Sequence, residues 1–454
     1  MSLSRSQQKI VILVSIFASF VAFLDGFIVN VALPAIEREL GGGITTQQWV
    51  VNAYVVTLGS LMLTAGALSD TFGRKKVLSI GLIGFGLTSL LCAIAPTAEF
   101  LIAARALQGI AGALLVPSSL AIIISTFSGT QQSKAIGIWT AWTVVAPAMG
   151  PLLGGFLADS LSWRWVFWVN LLPIAITLWL LSRLELPEIK HENTKVDIIG
   201  TLLCTTGLGA IVYALTMQPL WGWQSPVIYA FLVGGIGVLI AFIWYEAHTK
   251  KPMLPLPLFK VRNFSVGNIA TAAIYGALAL STFTLTIFIQ QIGGFSATQA
   301  GLALLPITVL MFTLSRIFGG LAGKYGPRFF MGLGPLLMAA GFTLLLPLDE
   351  SIHYWSDMLP GITLFGVGLA ITVAPLTSAI LGSIDSRHSG IGSAINNAVS
   401  RIAGLITVSL LGIIIGGHLS TSGFKNGMLF AILLLVVGGI ISLLWIQNPP
   451  RKNL

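Results

Sequence analysis

Asp25 is the one acidic residue that the sequence places deep inside a long apolar segment, in Phe23-Leu24-Asp25-Gly26-Phe27-Ile28-Val29-Asn30. An ionised carboxylate in the interior of a membrane is costly, and such residues persist mainly where they are used. A buried carboxylate can also bind and release a proton as its surroundings change. Asp25 is therefore the first candidate for reversible proton binding within a membrane.

Three basic residues also fall inside apolar segments, namely Arg105, Arg316 and Arg401. Asp25 precedes Pro34 by nine residues, which is about 13 Å along a helix, and Arg105 follows Glu99 by six, which is about 9 Å. Measured from the same face of the membrane, the two charges can lie at one level. We predict that they pair directly or through water; a purely structural ion pair is the alternative.

The composition is that of an integral membrane protein. The chain has 454 residues, of which 55% are hydrophobic and only 9% are charged, whereas soluble domains carry about 25% charged residues. So few charges cannot cover a water-facing surface of this size. The 50 glycines suit helices that pack closely in lipid, because small residues let backbones approach.

Hydropathy predicts fourteen helices that span a bilayer, since each span needs about 20 apolar residues. Most connections are short, and no segment is suited to a separate soluble domain. The predicted spans cover residues 9–33, 46–69, 77–96, 99–124, 133–158, 163–183, 198–218, 226–246, 263–290, 297–321, 328–348, 356–382, 388–415 and 425–447. The predicted fold class is an all-α membrane protein.

The Lys and Arg residues are distributed unevenly between the two sets of loops. With the N-terminus in the cytoplasm, 18 of the 24 basic residues fall in cytoplasmic loops and tails, 3 on the opposite side and 3 within spans. Basic loops remain on the cytoplasmic side of a membrane. Both termini are therefore predicted to be cytoplasmic, in agreement with an even number of spans.

Two long cytoplasmic connections, residues 184–197 and 247–262, divide the helices into groups of six, two and six. The predicted parts are an N-terminal half at 1–190, two linker helices with their connection at 191–262 and a C-terminal half at 263–454. The loop at 66–75 is faintly repeated at 320–328, in the same place within each group of six. Such a repeat predicts the two pseudo-twofold halves of an alternating-access carrier.

Asp70 stands among the glycines of the loop at 66–76, and Arg74 and two lysines follow it. This pattern resembles the signature loop of the major facilitator superfamily, in which such an acid closes the carrier on its cytoplasmic side. The resemblance implies a cytoplasmic gate of Asp70, Gly73 and Arg74. Gly323 stands where the second loop would carry the acid, so the gate is expected to depend on Asp70. A plain positively charged loop is the alternative.

Further patterns resemble the fourteen-helix drug:proton antiporters of that superfamily. Leu24-Asp25 with residues 30–36 is similar to their first-helix motif, residues 163–173 to another of their patterns, and residues 103–109 around Arg105 to the fourth-helix motif linked to proton transfer. The fifth span resembles the antiporter motif at Gly150, Pro151, Gly154 and Gly155. Close helix packing with a Pro-linked bend is the alternative explanation of these glycines, and it is compatible with the functional one.

The resemblance implies a proton-coupled exporter of amphipathic drug-like compounds, in which Asp25 carries the proton and Arg105 tunes it. A carrier of a metabolite, lipid or siderophore with the same fold is the alternative. Three intramembrane arginines against one carboxylate favour monocationic, zwitterionic, neutral or anionic substrates over dications. The candidates for the substrate cavity are the polar or aromatic residues Asn52, Tyr54, Gln108, Trp142, Asn170, Gln290, Asn396, Asn397 and Arg401.

Other classes of protein find little support. The only cysteines, Cys92 and Cys204, lie within spans, so neither a disulfide framework nor a Cys-rich metal site is expected. No nucleophile elbow, His/Glu metal set or nucleotide-binding loop indicates an intramembrane enzyme or a sensor. The formal charge of +9 is explained by the loops rather than by nucleic acid. We predict a monomer in a bacterial inner membrane that binds its substrate, protons and lipid, without a cofactor or metal.

Overall fold

Helices form nearly all of the protein. The computed structural model describes residues 5–127, 129–184, 196–250, 252–385 and 389–448. Within those ranges the chain forms sixteen α-helices and no β-strand. The predicted all-α class therefore agrees with the described part of the chain.

The helices follow one another with short connections. The first nine are α1 Arg5–Leu40, α2 Gly43–Phe72, α3 Arg74–Ala93, α4 Ala98–Thr126, α5 Gly129–Ser160, α6 Trp165–Trp168, α7 Leu171–Ser182, α8 Ile198–Trp221 and α9 Pro226–His248. The other seven are α10 Arg262–Gln291, α11 Ala297–Ala303, α12 Leu305–Tyr325, α13 Pro327–Leu345, α14 Leu359–Leu381, α15 Ser389–Ile415 and α16 Thr421–Trp445. A 3₁₀ turn at Leu256–Lys260 precedes α10, and a π turn at Tyr354–Met358 leads into α14.

Among the described residues, 12 helical segments are long and apolar enough to cross a membrane. They are α1, α3, α4, α8, α9, α10, α13, α15, α16, the pair α6–α7, the pair α11–α12, and α14 with its π turn. Helices α2 and α5 have 30 and 32 residues but do not belong to this set. A total of fourteen spans thus stays a prediction.

Two segments that were predicted as single spans are interrupted. Val169 and Asn170 separate α6 from α7, and Leu304 separates α11 from α12. Each second helix has a proline in its first turn, Pro173 in α7 and Pro306 in α12. A proline is well tolerated there because the first N–H groups of a helix have no intrahelical partner.

The chain divides into two compact units. The first consists of Met1–Ala214, Trp223–Met253 and Ser296–Gly301, and the second of Leu215–Gly222, Leu254–Phe295 and Leu302–Leu454. The first unit thus contains α1 to α7, most of α8, all of α9 and the beginning of α11. The predicted boundaries at residues 190 and 262 rest on helix counting and stay a prediction.

Helix α4 packs closely against α2 in the first unit. Gly109 of α4 lies against the backbone carbonyl of Tyr54, where a Cβ would overlap that oxygen. A Cβ at Gly112 would lie 3.2 Å from side-chain atoms of Leu58 and Phe85. The two glycines therefore let α4 approach α2 closely, which fixes the depth and direction of the polar side chains on the same helix.

Candidate functional site

Asp25 and Arg105 form a buried ion pair in the first unit. Arg105 Nη1 donates a hydrogen bond to Asp25 Oδ2 at 2.5 Å, and the two side chains are 1% and 0% exposed. The predicted pairing of α1 and α4 through these residues is therefore present as a direct salt bridge. Buried charges are tolerated only when their remaining donors and acceptors also find partners, so the surrounding contacts matter.

The guanidinium group is held by two further acceptors and two aromatic rings. Arg105 Nε donates to the backbone oxygen of Val50 at 3.0 Å, and Nη1 also donates to Gln108 Oε1 at 2.6 Å. The Arg105 Cζ atom lies 4.2 Å from the centre of the Tyr54 ring and 5.7 Å from that of Phe167. These distances are those of cation–π contacts. The positive charge is thus fixed in position.

Two amide groups bind the other carboxylate oxygen. Asp25 Oδ1 accepts hydrogen bonds from Gln108 Nε2 at 3.1 Å and from Asn170 Nδ2 at 2.8 Å. Ser89 Oγ accepts a further bond from Gln108 Nε2 at 2.9 Å. Residues from α1, α3, α4 and the junction of α6 with α7 thus meet at one carboxylate. We call Asp25, Ser89, Arg105, Gln108 and Asn170 the Asp25 cluster.

Local sequence explains how α4 and α2 are positioned around this cluster. The side chain of Thr97 accepts a hydrogen bond from the N–H of Phe100 and caps the N-terminus of α4. Arg105 and Gln108 are three residues apart and share one face of that helix. The hydroxyl of Tyr54 donates to the backbone oxygen of Ala22 at 3.1 Å, which joins α2 to α1 one turn before Asp25.

The glycines of the predicted antiporter motif hold α5 against α1 directly beside Asp25. A Cβ at Gly150 would lie 2.8 Å from the Cβ of Phe27, and one at Gly154 would overlap the backbone oxygen of Ile28. Side chains at these two positions would therefore push α1 away from α5. The motif residues act here through packing, and an effect on exchange stays a prediction.

The C-terminal part of the motif packs against the beginning of α11. A Cβ at Gly155 would overlap the backbone carbonyl of Ala297. A Cβ at Gly301 would likewise overlap the backbone carbonyl of Pro151. Asp159, one residue beyond the predicted span 133–158, accepts hydrogen bonds from the N–H groups of Ala297 at 3.1 Å and Thr298 at 2.7 Å. The carboxylate thus satisfies N–H groups that have no partner within their own helix.

The electrostatic environment of Asp159 reflects these bonds. Partial burial acts to raise the pKa of Asp159, but the hydrogen bonds from Thr298, Ser296 and Ala297 outweigh it and leave the pKa below its usual value. Sequence reasoning missed this residue. A signal was available, because an acid near the C-terminal end of its own helix opposes the helix dipole and is better placed at another helix's N-terminus.

The predicted gate residues lie where α2 gives way to α3. Gly73 has φ 96° and separates the two helices, a conformation that favours glycine. Arg74 Nη1 donates to the backbone oxygen of Ala121 at 3.0 Å, which ties α3 to α4. The side chain of Asp70 lies outside the described part of the structure. The gate therefore stays a prediction.

The predicted cavity residues fall into different environments. Asn52, Tyr54, Gln108 and Asn170 are fully buried, Trp142 and Asn397 are exposed, and Gln290, Asn396 and Arg401 are half-buried. Gln108 and Asn170 bind the Asp25 carboxylate. In the second unit, Asn396 Nδ2 donates to Asn268 Oδ1 at 3.2 Å and to Thr271 Oγ1 at 2.8 Å. A substrate role for the nine residues stays a prediction.

One feature of the described structure departs from the expectation of a single buried acid. Glu246, two residues before the end of α9, is 3% exposed and thus also buried. Glu246 is the last residue of the predicted span 226–246, where hydropathy cannot separate a buried from an exposed side chain. Among the described residues, no group of three His, Cys, Asp or Glu side chains could hold a metal ion.

Comparison with known proteins gives the family. The model of the Major Facilitator Superfamily matches residues 15–204 and 198–408. The chain is 32% identical over 440 residues to the methylenomycin A resistance protein of Bacillus subtilis, which covers 95% of this chain and 92% of that protein. It is 34% identical over 410 residues to the puromycin resistance protein pur8 of Streptomyces alboniger, covering 88% and 80% of the two chains.

A further relative is the multidrug resistance protein Stp of Mycobacterium tuberculosis, with 32% identity over 410 residues that cover 89% of this chain and 75% of that one. Solved structures agree on the fold. A peptide transporter POT in complex with sulfate superposes with a TM-score of 0.70 at 15% identity, covering 96% and 93% of the chains. The human organic anion transporter MFSD10 gives 0.66 at 17% identity, covering 96% and 99%. The chain is a multi-pass membrane transporter and belongs to the Major Facilitator Superfamily.

Proposed function

We propose that this transporter exports amphipathic, drug-like compounds in exchange for protons by alternating access. The observation that carries the proposal is the Asp25 carboxylate, which is fully buried and bound to Arg105 at 2.5 Å. A group that is costly to bury in lipid and is held by neutral donors and a fixed cation suits reversible proton binding.

Exchange follows if the Asp25 cluster is occupied by only one species at a time. While Asp25 is ionised, its charge is balanced by Arg105. A proton that arrives from outside, or a substrate that competes for the same donors, changes this balance. If proton and substrate cannot be bound together, each must leave before the other enters, which gives antiport.

The names of the relatives support the substrate class. The matched proteins are described as resistance proteins for methylenomycin A and puromycin and as a multidrug resistance protein. Resistance to more than one compound, as the name of the multidrug resistance protein states, is what an exporter of drug-like molecules would provide. A carrier of a metabolite, lipid or siderophore has no specific observation in its favour and is included in the experiment below.

The finer topology also belongs to the proposal. Counting α2 and α5 with the 12 apolar segments gives fourteen spans. The arrangement would be six, two and six helices, with boundaries near residues 190 and 262, both termini in the cytoplasm and a monomer in the bacterial inner membrane. Asp70, Gly73 and Arg74 would close the cytoplasmic side, and the nine cavity candidates would contact substrate.

Transport in proteoliposomes with an imposed pH gradient tests the proposal. The compound panel should contain amphipathic drugs of several charges together with lipids, metabolites and siderophores. We expect the wild type to accumulate drugs when the gradient is imposed, and Asp25→Asn to lose this accumulation. Asp349→Asn is the matched control, because Asp349 is exposed and undergoes the same chemical change.

The outcomes separate the parts of the proposal. If Asp25→Asn accumulates substrate against its gradient at the full rate, Asp25 does not carry the coupling proton. If the gradient drives only metabolites, lipids or siderophores, drug export is wrong while the role of Asp25 stands. If no compound responds to the gradient in the wild type, proton coupling itself is contradicted.

A further inference from the structure

Asn170 carries a buried acceptor atom beside Asp25 that has no hydrogen-bond partner within the described structure. Its side chain is 0% exposed, its Nδ2 donates to Asp25 Oδ1 at 2.8 Å, and its Oδ1 accepts no hydrogen bond. A buried amide oxygen without a partner is uncommon and needs an explanation.

We propose that Asn170 is a positioning residue whose amide group reverses when Asp25 binds a proton. In one orientation Nδ2 donates to the carboxylate; in the other Oδ1 accepts from the carboxylic acid. The inference rests on the proposed function, because it assumes that Asp25 is protonated during transport. It assigns Asn170 to recognition of the proton, in addition to the contact with substrate proposed above.

The hydrogen-bond capacities of the groups lead to this assignment. An ionised carboxylate only accepts, and it therefore suits the donors Arg105, Gln108 and Asn170 that surround it. Protonation converts one carboxylate oxygen into an O–H donor. This O–H needs an acceptor, but the group opposite it is also a donor. One neighbouring group must then supply an oxygen, or the protonated form is left with opposed donors.

Asn170 is the neighbour best able to supply that oxygen. Gln108 Oε1 already accepts from Arg105 Nη1 at 2.6 Å and from Cys92 Sγ at 3.5 Å, and the backbone oxygen of Val50 accepts from Arg105 Nε. The Asn170 oxygen is uncommitted. The two ends of an amide have nearly the same shape, so a half-turn about Cβ–Cγ brings Oδ1 to the place of Nδ2 without moving the backbone.

The other titratable groups around Asp25 leave this assignment unchanged. Arg105 faces it from α4 and Cys92 from α3, and Tyr54 of α2 lies against the Arg105 guanidinium group. Arginine side chains stay charged in proteins, so Arg105 does not exchange its proton. The Tyr54 hydroxyl donates to the backbone oxygen of Ala22, and the Cys92 thiol donates to Gln108 Oε1. Gly150 and Gly154 of α5 pack on α1 here, and Phe167 of α6 lies against Arg105.

The position of Asn170 in the chain frees its side chain for this purpose. It is the N-cap residue of α7, a position at which asparagine commonly caps the helix with its side chain. Here the side chain makes no such bond and is directed to Asp25 instead. The residue thus lies at the interruption between α6 and α7, where the backbone is not part of either helix.

Infrared difference spectroscopy of the full-length protein in lipid, acidic minus alkaline, tests the inference. We expect a carboxylic acid band that is lost in Asp25→Asn. We also expect an asparagine side-chain carbonyl band that moves to lower frequency in acid, because Oδ1 then accepts an O–H. ¹³C-labelled asparagine identifies that band in the wild type. It should disappear in Asp25→Asn and Asn170→Leu and persist in Asn426→Leu, in which an exposed amide of α16 is removed.

The result that overturns the inference is an Asp25 acid band with no accompanying shift of a labelled asparagine band. That result would leave proton coupling intact. Loss of both bands in the wild type would contradict the proposed function as well, since Asp25 would then not titrate. The labelled wild type decides between these outcomes even if Asn170→Leu does not fold.

Transport gives a second readout for the same residue. In Asn170→Leu, ionised Asp25 loses a charge-assisted hydrogen bond, whereas protonated Asp25 loses only a hydrogen bond between neutral groups. The charge-assisted bond is the stronger of the two, so the ionised form is destabilised more. The pH of half-maximal exchange should therefore rise by about one unit. A lower maximal rate with an unmoved pH profile would indicate a merely structural residue and contradict the inference.

Discussion

Arg105 and Asp25 are separated by 80 residues in the chain, yet Arg105 Nη1 lies 2.5 Å from Asp25 Oδ2 in a site closed to solvent. The salt bridge between Arg164 and Glu39 has nearly the same length, 2.6 Å, but those side chains are 30% and 48% exposed. The first unit thus contains one chemical interaction in two environments, and burial alone should make their energies differ.

Arg105→Met should destabilise the protein by about 3–5 kcal/mol, because it leaves the Asp25 carboxylate buried without its counter-ion. Thermal unfolding in detergent at neutral pH measures the loss. The double variant Asp25→Leu/Arg105→Met removes both charges and should recover much of the stability. A double variant no more stable than Arg105→Met would show that the lost contacts, rather than the unpaired charge, cause the effect.

Arg164→Met is the matched change at the exposed pair and should cost at most about 1 kcal/mol. Arg164 Nη2 also donates to the backbone oxygen of Ala95, but water can replace both bonds at this position. The same unfolding measurement applies. A loss as large as that of Arg105→Met would mean that burial does not control the two energies.

Gly154→Ala should lower stability by about 1–3 kcal/mol and reduce transport, because the new methyl group meets the backbone of Ile28. The displacement would act on α1 three residues after Asp25. Gly137→Ala in the same helix is the control, since a Cβ there meets nothing within 4 Å. That variant should be neutral or stabilising by up to about 1 kcal/mol through helix propensity. Equal effects of the two variants would refute the packing argument.

Asp159→Asn should cost about 0.5 kcal/mol at neutral pH, a capping energy reduced because the side chain is exposed. The pKa of Asp159 is lower in the folded protein than its usual 3.8. The charged side chain therefore contributes its full stabilisation of the fold above pH 3.8. This stabilisation is lost as the pH falls through the pKa that Asp159 has in the folded protein. Unfolding of the wild type and variant from pH 7 to pH 3 should give curves that converge in acid. Curves that stay parallel would mean that the charge contributes nothing.

The ion pair of the Asp25 cluster could be predicted from the sequence. The rise of a helix fixes the depth of a residue in its span, and two isolated charges at one depth in an apolar segment must pair. Asp25 and Arg105 meet both conditions. Gln108 and Asn170 could not be separated from residues that line a cavity, because depth does not fix the rotation of a helix about its axis.

The interruptions at Asn170 and Leu304 could not be predicted from hydropathy. An apolar segment has the same hydropathy whether its backbone forms one helix or two. Pro173 and Pro306 marked the following helices but do not by themselves require a break. The contact of Asp159 with Ala297 and Thr298 joins residues 138 and 139 positions apart. Only the packing of α5 reveals it.

The fixed charge of Arg105 has an electrical consequence. The ion pair with Asp25 is neutral, and adding a proton gives it one net positive charge. The membrane potential contributes about 2.3 kcal/mol per elementary charge per 100 mV. In the proposed exchange, export of an uncharged compound for one proton would be electrogenic, and the potential would assist it. Export of a monocation for one proton would be electroneutral and would depend on the pH gradient alone.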